Sequence, residues 1–529
     1  MTDQCFIGVD VGSASVRAGV FDRQGARLAF AVRPISQFHP RAGVVEQSSR
    51  EIWSQACQAI KEALQTSGIA AQSVVSIGFD ATCSLVVVGN DGRGISVAEQ
   101  GEEERDIIMW MDHRAVDEAR DINATGDAAL RYVGGEVSVE MELPKALWLK
   151  RHFPDRYRRA WRLFDLADFL VWRATGADVA SSCTLTCKWN YLAHEKRFSQ
   201  PLLKAVCLDD LLGKIPATIL ELGQPAGCLS AEAAEQCGLT TAVTVAGGII
   251  DAHAGGLALV GTQPEGALAI ISGTSNCHML VNRREIPVPG VWGPYWGAML
   301  PGWWLSEGGQ SAAGALVEWT LQQHGAWPLL QQQAAEQGCN EYQLLNRWVA
   351  DLERRDPLPT RHLHVLADHY GNRSPRANPQ ARGAVMGLTL ETGPDALARL
   401  YLATLQAIAY GTRHIIGAMN QAGHHITRLL ICGGATKNPL WLREYANVTG
   451  CNIELASQDD TVTLGAALLG AVAAGAYANL SEAAQALVRP GETIHADSRY
   501  AAFHQAKYQV YLRLYDDMQQ AENVMRQWR

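Results

Sequence analysis

The stretch Ile7-Gly8-Val9-Asp10-Val11-Gly12-Ser13-Ala14-Ser15-Val16-Arg17 decides the fold. An apolar run from Phe6 to Val9 meets a small polar turn, Asp10 to Ser15, and a second run follows from Val16 to Phe21. This reads as a hairpin with its polar groups gathered at the bend. About half a chain later, Ala267 to Val281 repeats the plan. One apolar run ends at Ile271, Ser272-Gly273-Thr274-Ser275-Asn276 turns, and another run starts at Cys277. Two such hairpins imply a duplicated architecture.

The chain has 529 residues, more than one hydrophobic core holds, so two lobes with a cleft between them are expected. Strand-like runs at Val74 to Phe79 and Leu85 to Val88 alternate with helical patterns at Ser48 to Thr66 and Leu143 to His152, which points to α/β layers. Gly247-Gly248-Ile249-Ile250-Asp251 and the small-residue run Ala252 to Gly261 mark the crossing into the second lobe. The expected domains are 1–261 and 262–529. In the second, Leu400 to Met419 reads as a helix, Leu429 to Cys432 as a strand and Gly433-Gly434 as a turn, with another helix from Pro439. Phe503, Val510, Tyr511, Leu514 and Met518 fall at helical spacing, giving a terminal helix that packs on the second lobe.

Composition narrows the classes of function. Hydrophobic residues make up 47% and charged residues 19%, the balance of a soluble globular protein. A net charge of -9 argues against a nucleic-acid surface, which needs clustered Lys and Arg. The 12 cysteines show no zinc spacing and read as reduced thiols. Met1 to Asp10 lacks the basic and apolar regions of a secretory signal, so the cytoplasm is the expected compartment. Thr463 to Leu480 is uncharged but mostly Ala and Gly, which suits a buried helix better than a membrane span.

The chain carries no Gly-x-x-x-x-Gly-Lys-Ser/Thr, no protein-kinase loop set and no Gly-x-Gly-x-x-Gly. The two hairpin turns offer another way to hold phosphates, since Gly, Ser and Thr there expose backbone N–H groups and hydroxyls without a basic cluster. Asp251, at the lobe boundary, suits a general base that takes the proton of an attacking hydroxyl, and equally a helix N-cap. His253 beside it reads as structural. Gly433-Gly434-Ala435-Thr436-Lys437-Asn438 would let a flat ring lie on the backbone with Asn438 at its edge, or form a plain strand–turn–helix corner.

Together these segments resemble the FGGY carbohydrate kinases of the actin-like ATPase superfamily, in order and along essentially the whole chain. Gly78-Phe79-Asp80-Ala81-Thr82-Cys83-Ser84, Thr186-Cys187-Lys188-Trp189, Glu307-Gly308-Gly309-Gln310-Ser311 and His369-Tyr370-Gly371-Asn372-Arg373-Ser374-Pro375 are most similar to the D-ribulokinase group. Glycerol kinases carry Arg-Glu, and xylulokinases Met-His, where this chain has Asp80-Ala81-Thr82.

The resemblance implies an α/β fold of two actin-like, ribonuclease H-like ATPase domains with a central cleft. It implies transfer of the γ-phosphate of ATP to a free ketopentose, D-ribulose first, with other pentuloses, pentitols or a silent sugar sensor as alternatives. The implied sugar site is Thr82, Cys83, Lys188, Asp251 and Glu307, with Asp251 catalytic and Trp110, Trp189 and Trp296 as candidate flat faces. The implied ATP site is Gly12, Ser13, Ser15, Arg17, Gly273, Thr274, Ser275, Gly433, Gly434 and Asn438, with Asp10 on Mg²⁺. ATP and the magnesium belong to the second lobe and the sugar to the first. No membrane partner is implied, and a homodimer is left open.

Overall fold

The computed structural model describes residues 4–102, 104–458 and 460–528. The first sheet is built from β1 (Cys5–Val11), β2 (Ser15–Phe21), β3 (Arg27–Pro34), β4 (Val74–Ala81) and β5 (Thr244–Ala246). They lie in the order β3-β2-β1-β4-β5, antiparallel among the first three and parallel from β1 through β4 to β5. The second sheet uses β6 (Ala267–Ser272), β7 (Asn276–Asn282), β8 (Trp292–Trp296), β9 (Trp304–Gln310), β10 (Arg428–Gly433) and β11 (Asn452–Ala456). Its order β9-β7-β6-β10-β11, with the same directions, repeats the first plan, and β8 adds outside β9. The duplication inferred from the two hairpins is therefore a duplication of sheet topology.

The helices that place the functional residues are α1 (Ser49–Ser67), α2 (Ser182–Lys188), α3 (Asp251–Val260), α4 (Pro394–Gln421), α5 (Pro439–Thr449), α6 (Thr461–Ala473) and α7 (Ala501–Met525). Every residue of β1 is buried, so both faces of that sheet need a cover. α1 covers one face, started by the Ser48 hydroxyl accepting from the Glu51 N–H and stopped by Gly68 at φ +69°. The other face is covered by α6, which also packs on α3.

This helix covers the first part of the uncharged stretch read as buried, starting two residues before it, and its small residues let backbones meet. A Cβ added at Gly8 or Gly78 would overlap the carbonyl oxygen of Thr463 or Ala466. The helix thus belongs by sequence to the second half and by packing to the first lobe. The boundary near Gly261 separates the strands of the two sheets but not all their covering layers. α7 buries Tyr511 and Leu514 against the second lobe, as its spacing suggested, and adds the polar pair His504 and Lys507. Among the described residues, no helix is long and apolar enough to cross a membrane.

Candidate active site

Parallel pairing brings the carboxylates together. Asp10 of β1 stands beside Asp80 of β4, and Asp80 beside Ile249, two residues before Asp251. Asp10 and Asp80 are fully buried, and among the described residues no protein donor reaches them apart from an ion pair from Arg17 to Asp10. Burial pushes the Asp10 carboxyl up to about 7, aided by Asp251 and Asp460 and opposed by Arg17. Asp80 is raised further, by burial first and then by Asp10, so the pair shares a proton. Arg17 also lies 3.6 Å from Asp460, whose other oxygen caps α6 through the N–H groups of Val462 and Thr463. Asp460 escaped the sequence reading. Its only signal there is an N-cap position before an apolar helix.

The first turn is pinned from outside. Gly12 N–H donates to the Ser15 carbonyl at 3.0 Å, and Gln37 and Gln47 donate to the Ser13 carbonyl. The Ser13 hydroxyl accepts from the Trp110 indole N–H at 3.0 Å, which leaves its own hydrogen to donate.

Asp251 occupies the first position of α3 rather than the cap, which falls on Ile250. Its Oδ1 accepts from the adjoining Ala252 N–H at 2.6 Å, and the residue is half-buried. Burial raises its carboxyl, Ala252, Arg17 and Lys188 pull it back, and Glu307 pushes it up.

Lys188, at the end of α2, is buried with its ammonium 4.8 Å from the centre of the Trp292 ring. Burial works against that charge, but Cys83, Glu307 and Tyr295 outweigh it and raise its pKa. Glu307 stands in β9, paired in register with Met279 and Trp292, so it reaches toward Lys188 from the second lobe. Two of the residues expected at the sugar, Lys188 and Glu307, thus stand in different lobes.

His253 lies with its Nε2 3.6 Å from Glu307 Oε2 and 3.4 Å from Cys187 Sγ. Burial drives it down to about 4, so it is neutral. Cys183, Cys187 and His253 bring their ligand atoms within 4.8 Å of one another, a grouping that cysteine spacing alone did not reveal. The Lys188 ammonium opposes a second cation there. Among the described residues, no disulfide joins any of the cysteines.

Thr82 donates its N–H to the Val11 carbonyl, and its hydroxyl pairs with Ser84 at 3.2 Å. Cys83 is buried and its thiol pushed up by that burial. Of the three tryptophans singled out, Trp189 is in the core, Trp296 packs on Trp304, and Trp110 serves Ser13. The flat face beside Lys188 belongs to Trp292, which sequence spacing did not distinguish.

In the second turn, Gly273 and Thr274 are exposed, and the Thr274 carbonyl accepts from the N–H groups of Ala313 and Ala315. The nearby β10–α5 corner is also exposed at Gly433 and Gly434. Gly433 has φ +89°, and a Cβ there would overlap the Ser272 carbonyl oxygen, so the close approach requires glycine. Asn438 is buried: its Oδ1 caps α5 through Trp441 N–H and its Nδ2 donates to Tyr401. This side chain builds the corner.

Residues 5–258 match the N-terminal domain of the FGGY family of carbohydrate kinases, and residues 268–474 match its C-terminal domain. The chain belongs to that family. It is 42% identical over 543 residues to the human FGGY carbohydrate kinase domain-containing protein, covering 99% of this chain and 98% of that one. It is 36% identical over 511 residues to a D-ribulokinase of Saccharomyces cerevisiae, covering 88% of this chain and 72% of the yeast protein. The crystal structure of a xylulose kinase from Brucella ovis superposes with a TM-score of 0.81 at 24% identity, over 98% of this chain and all of that one. The fold is thus the two-domain actin-like, ribonuclease H-like ATPase fold, and the protein is a sugar kinase.

Proposed function

We propose that the protein transfers the γ-phosphate of ATP to a hydroxyl of a free ketopentose, with D-ribulose as the substrate and D-ribulose 5-phosphate as the product. The observation that carries this reading is the strand pairing that sets Asp10 of the first donor-rich turn beside Asp80, and Asp80 beside the strand leading into the half-buried carboxylate of Asp251. The yeast relative named a D-ribulokinase supports the choice of sugar.

Each residue has a chemical task in this reading. The exposed turn Gly273-Thr274-Ser275 and the pinned turn Gly12-Ser13-Ser15 offer N–H groups and hydroxyls to phosphate oxygens, and the glycines at 433 and 434 leave a floor for the adenosine. Among the described residues, Arg17 on Asp10 is the one protein cation paired with the buried carboxylates of Asp10 and Asp80, a set that suits a hard cation, and Mg²⁺ bound there would neutralise charge on the phosphates. Arg17 holds Asp10 in place.

Lys188 and Glu307 grip sugar oxygens from opposite lobes, and Trp292 offers its ring to the sugar carbons. Asp251, with its raised carboxyl pKa, takes the proton from the attacking hydroxyl as the bond to phosphorus forms. Closure of the lobes excludes water, the competing acceptor. A coupled ADP-release screen with D-ribulose, L-ribulose, D-xylulose, L-xylulose, ribitol and glycerol tests the reading. D-Ribulose should give the highest kcat/KM, and no stimulation by any of the six would refute it.

A further inference from the structure

Side chains two apart on a strand share a face, so the register of β7, β8 and β9 puts Cys277, Trp292, Glu307 and position 309 on one side of the second sheet. Position 309 is a glycine, and Arg373 fills the space it leaves. A Cβ there would stand 2.6 Å from Arg373 Cδ and 2.9 Å from Nη1. The guanidinium lies 5.3 Å from the centre of the same Trp292 ring that Lys188 meets at 4.8 Å. Two cations, one from each lobe, therefore flank one indole beside Glu307.

Arg373 is firmly placed. Its neighbour Asn372 donates to Asp368 Oδ1 at 2.9 Å and exchanges both backbone hydrogen bonds with Asn378. Across the junction, Arg373 Nη2 lies 3.2 and 3.4 Å from the two oxygens of Glu140 in the first lobe. Glu140 is itself anchored, because the buried Lys145 ammonium ties its carbonyl to those of Met109 and Trp110. Burial acts against the charge on Arg373, and Glu140, Cys277 and Glu307 outweigh it and hold the group protonated. Among the described residues, no protein acceptor meets its Nε or Nη1.

We propose that Arg373 is a sugar-binding residue, carried into the pocket by the second lobe and oriented by Glu140 of the first. Nε and Nη1 donate to adjacent sugar oxygens, a geometry that suits a vicinal diol. Because the pair spans the junction, sugar binding and lobe closure strengthen one another. A sugar bound to the open protein lacks this contact.

The inference rests on the sugar-kinase reading, and one experiment separates the two. Steady-state ADP release is measured with D-ribulose and ATP varied in turn, for wild type, Arg373→Gln, Arg373→Lys, Glu140→Gln and the Glu140→Gln/Arg373→Gln double variant. Arg373→Gln should raise the KM for sugar tenfold or more with the KM for ATP within twofold, and Arg373→Lys should recover part of the loss. Glu140→Gln should raise the sugar KM severalfold, and the double variant should be no worse than Arg373→Gln, since both act through one group. Sugar KM within twofold of wild type in Arg373→Gln, or strictly additive effects, would overturn the proposal. If Arg373→Gln fails to fold, an unchanged sugar KM in both Arg373→Lys and Glu140→Gln overturns it instead. If wild type responds to no sugar in the panel, the kinase reading falls, and this inference with it.

Discussion

Replacing Asp80 by asparagine should stabilise the ligand-free protein, more in mild alkali than in acid. Asp10 and Asp80 are buried side by side and share a proton. A carboxyl whose pKa is raised by folding stabilises the fold below its unfolded value, and that contribution is lost as pH rises through the folded value. Asp10 rises from 3.8 to about 7. Roughly three units at 1.36 kcal/mol each amount to on the order of 4 kcal/mol lost between about pH 4 and pH 7.

The amide introduced by Asp80→Asn takes up no proton, so the loss that Asp80's own raised carboxyl adds disappears, whereas the loss from Asp10, raised by burial, Asp251 and Asp460, remains. The variant should therefore lose less stability than wild type as pH rises, which appears as a higher melting temperature in mild alkali. The assay is thermal and urea unfolding at pH 5 and pH 8, without nucleotide or magnesium. A higher midpoint for Asp80→Asn is expected at pH 8, with a smaller difference at pH 5. A lower midpoint at pH 8, or a wild type whose stability does not fall over this range, would refute the shared-proton argument.

Lys188→Ala should raise the KM for sugar by a factor corresponding to about 1–3 kcal/mol while sparing ATP, because it removes a buried cation from Glu307 and Trp292. Steady-state kinetics with each substrate varied checks this. Gly434→Val should raise the KM for ATP and leave the melting temperature within a few degrees of wild type. A Cβ at Gly434 meets nothing closer than the Ser272 carbonyl oxygen at 3.7 Å, whereas Gly433 has no such room. A rise in sugar KM with ATP unaffected would move this corner out of the nucleotide site.

What the sequence made legible was local. The hairpins at Asp10 to Ser15 and Ser272 to Asn276 announce themselves through composition, and their repetition foretold the repeated sheet order. The helix at Ser49–Ser67 follows from its cap and apolar spacing. Relations set by tertiary packing were not legible. Nothing local says that α6 lies on β1, since the close approach depends on Gly8, Gly78 and a distant helix at once. Trp292 looked like any other tryptophan until β8 paired with β9 and set it beside Glu307. Asn438 was read for its donor and acceptor groups, but the cap of α5 and Tyr401 engage both. Asp251 could not be told from a helix cap by its neighbours, and the structure removes that reading by putting the cap on Ile250.

The most direct test of the central claim is kcat for Asp251→Asn, measured by coupled ADP release with saturating ATP and D-ribulose, alongside both KM values and the melting temperature. The amide keeps the size and most of the hydrogen bonding of the carboxylate, including acceptance from Ala252 N–H, but not its basicity. The account predicts a fall in kcat of about 10²–10⁴ with both KM values within severalfold and an intact fold, toward the lower end if the transition state is loose. A folded variant with kcat near that of wild type would contradict it.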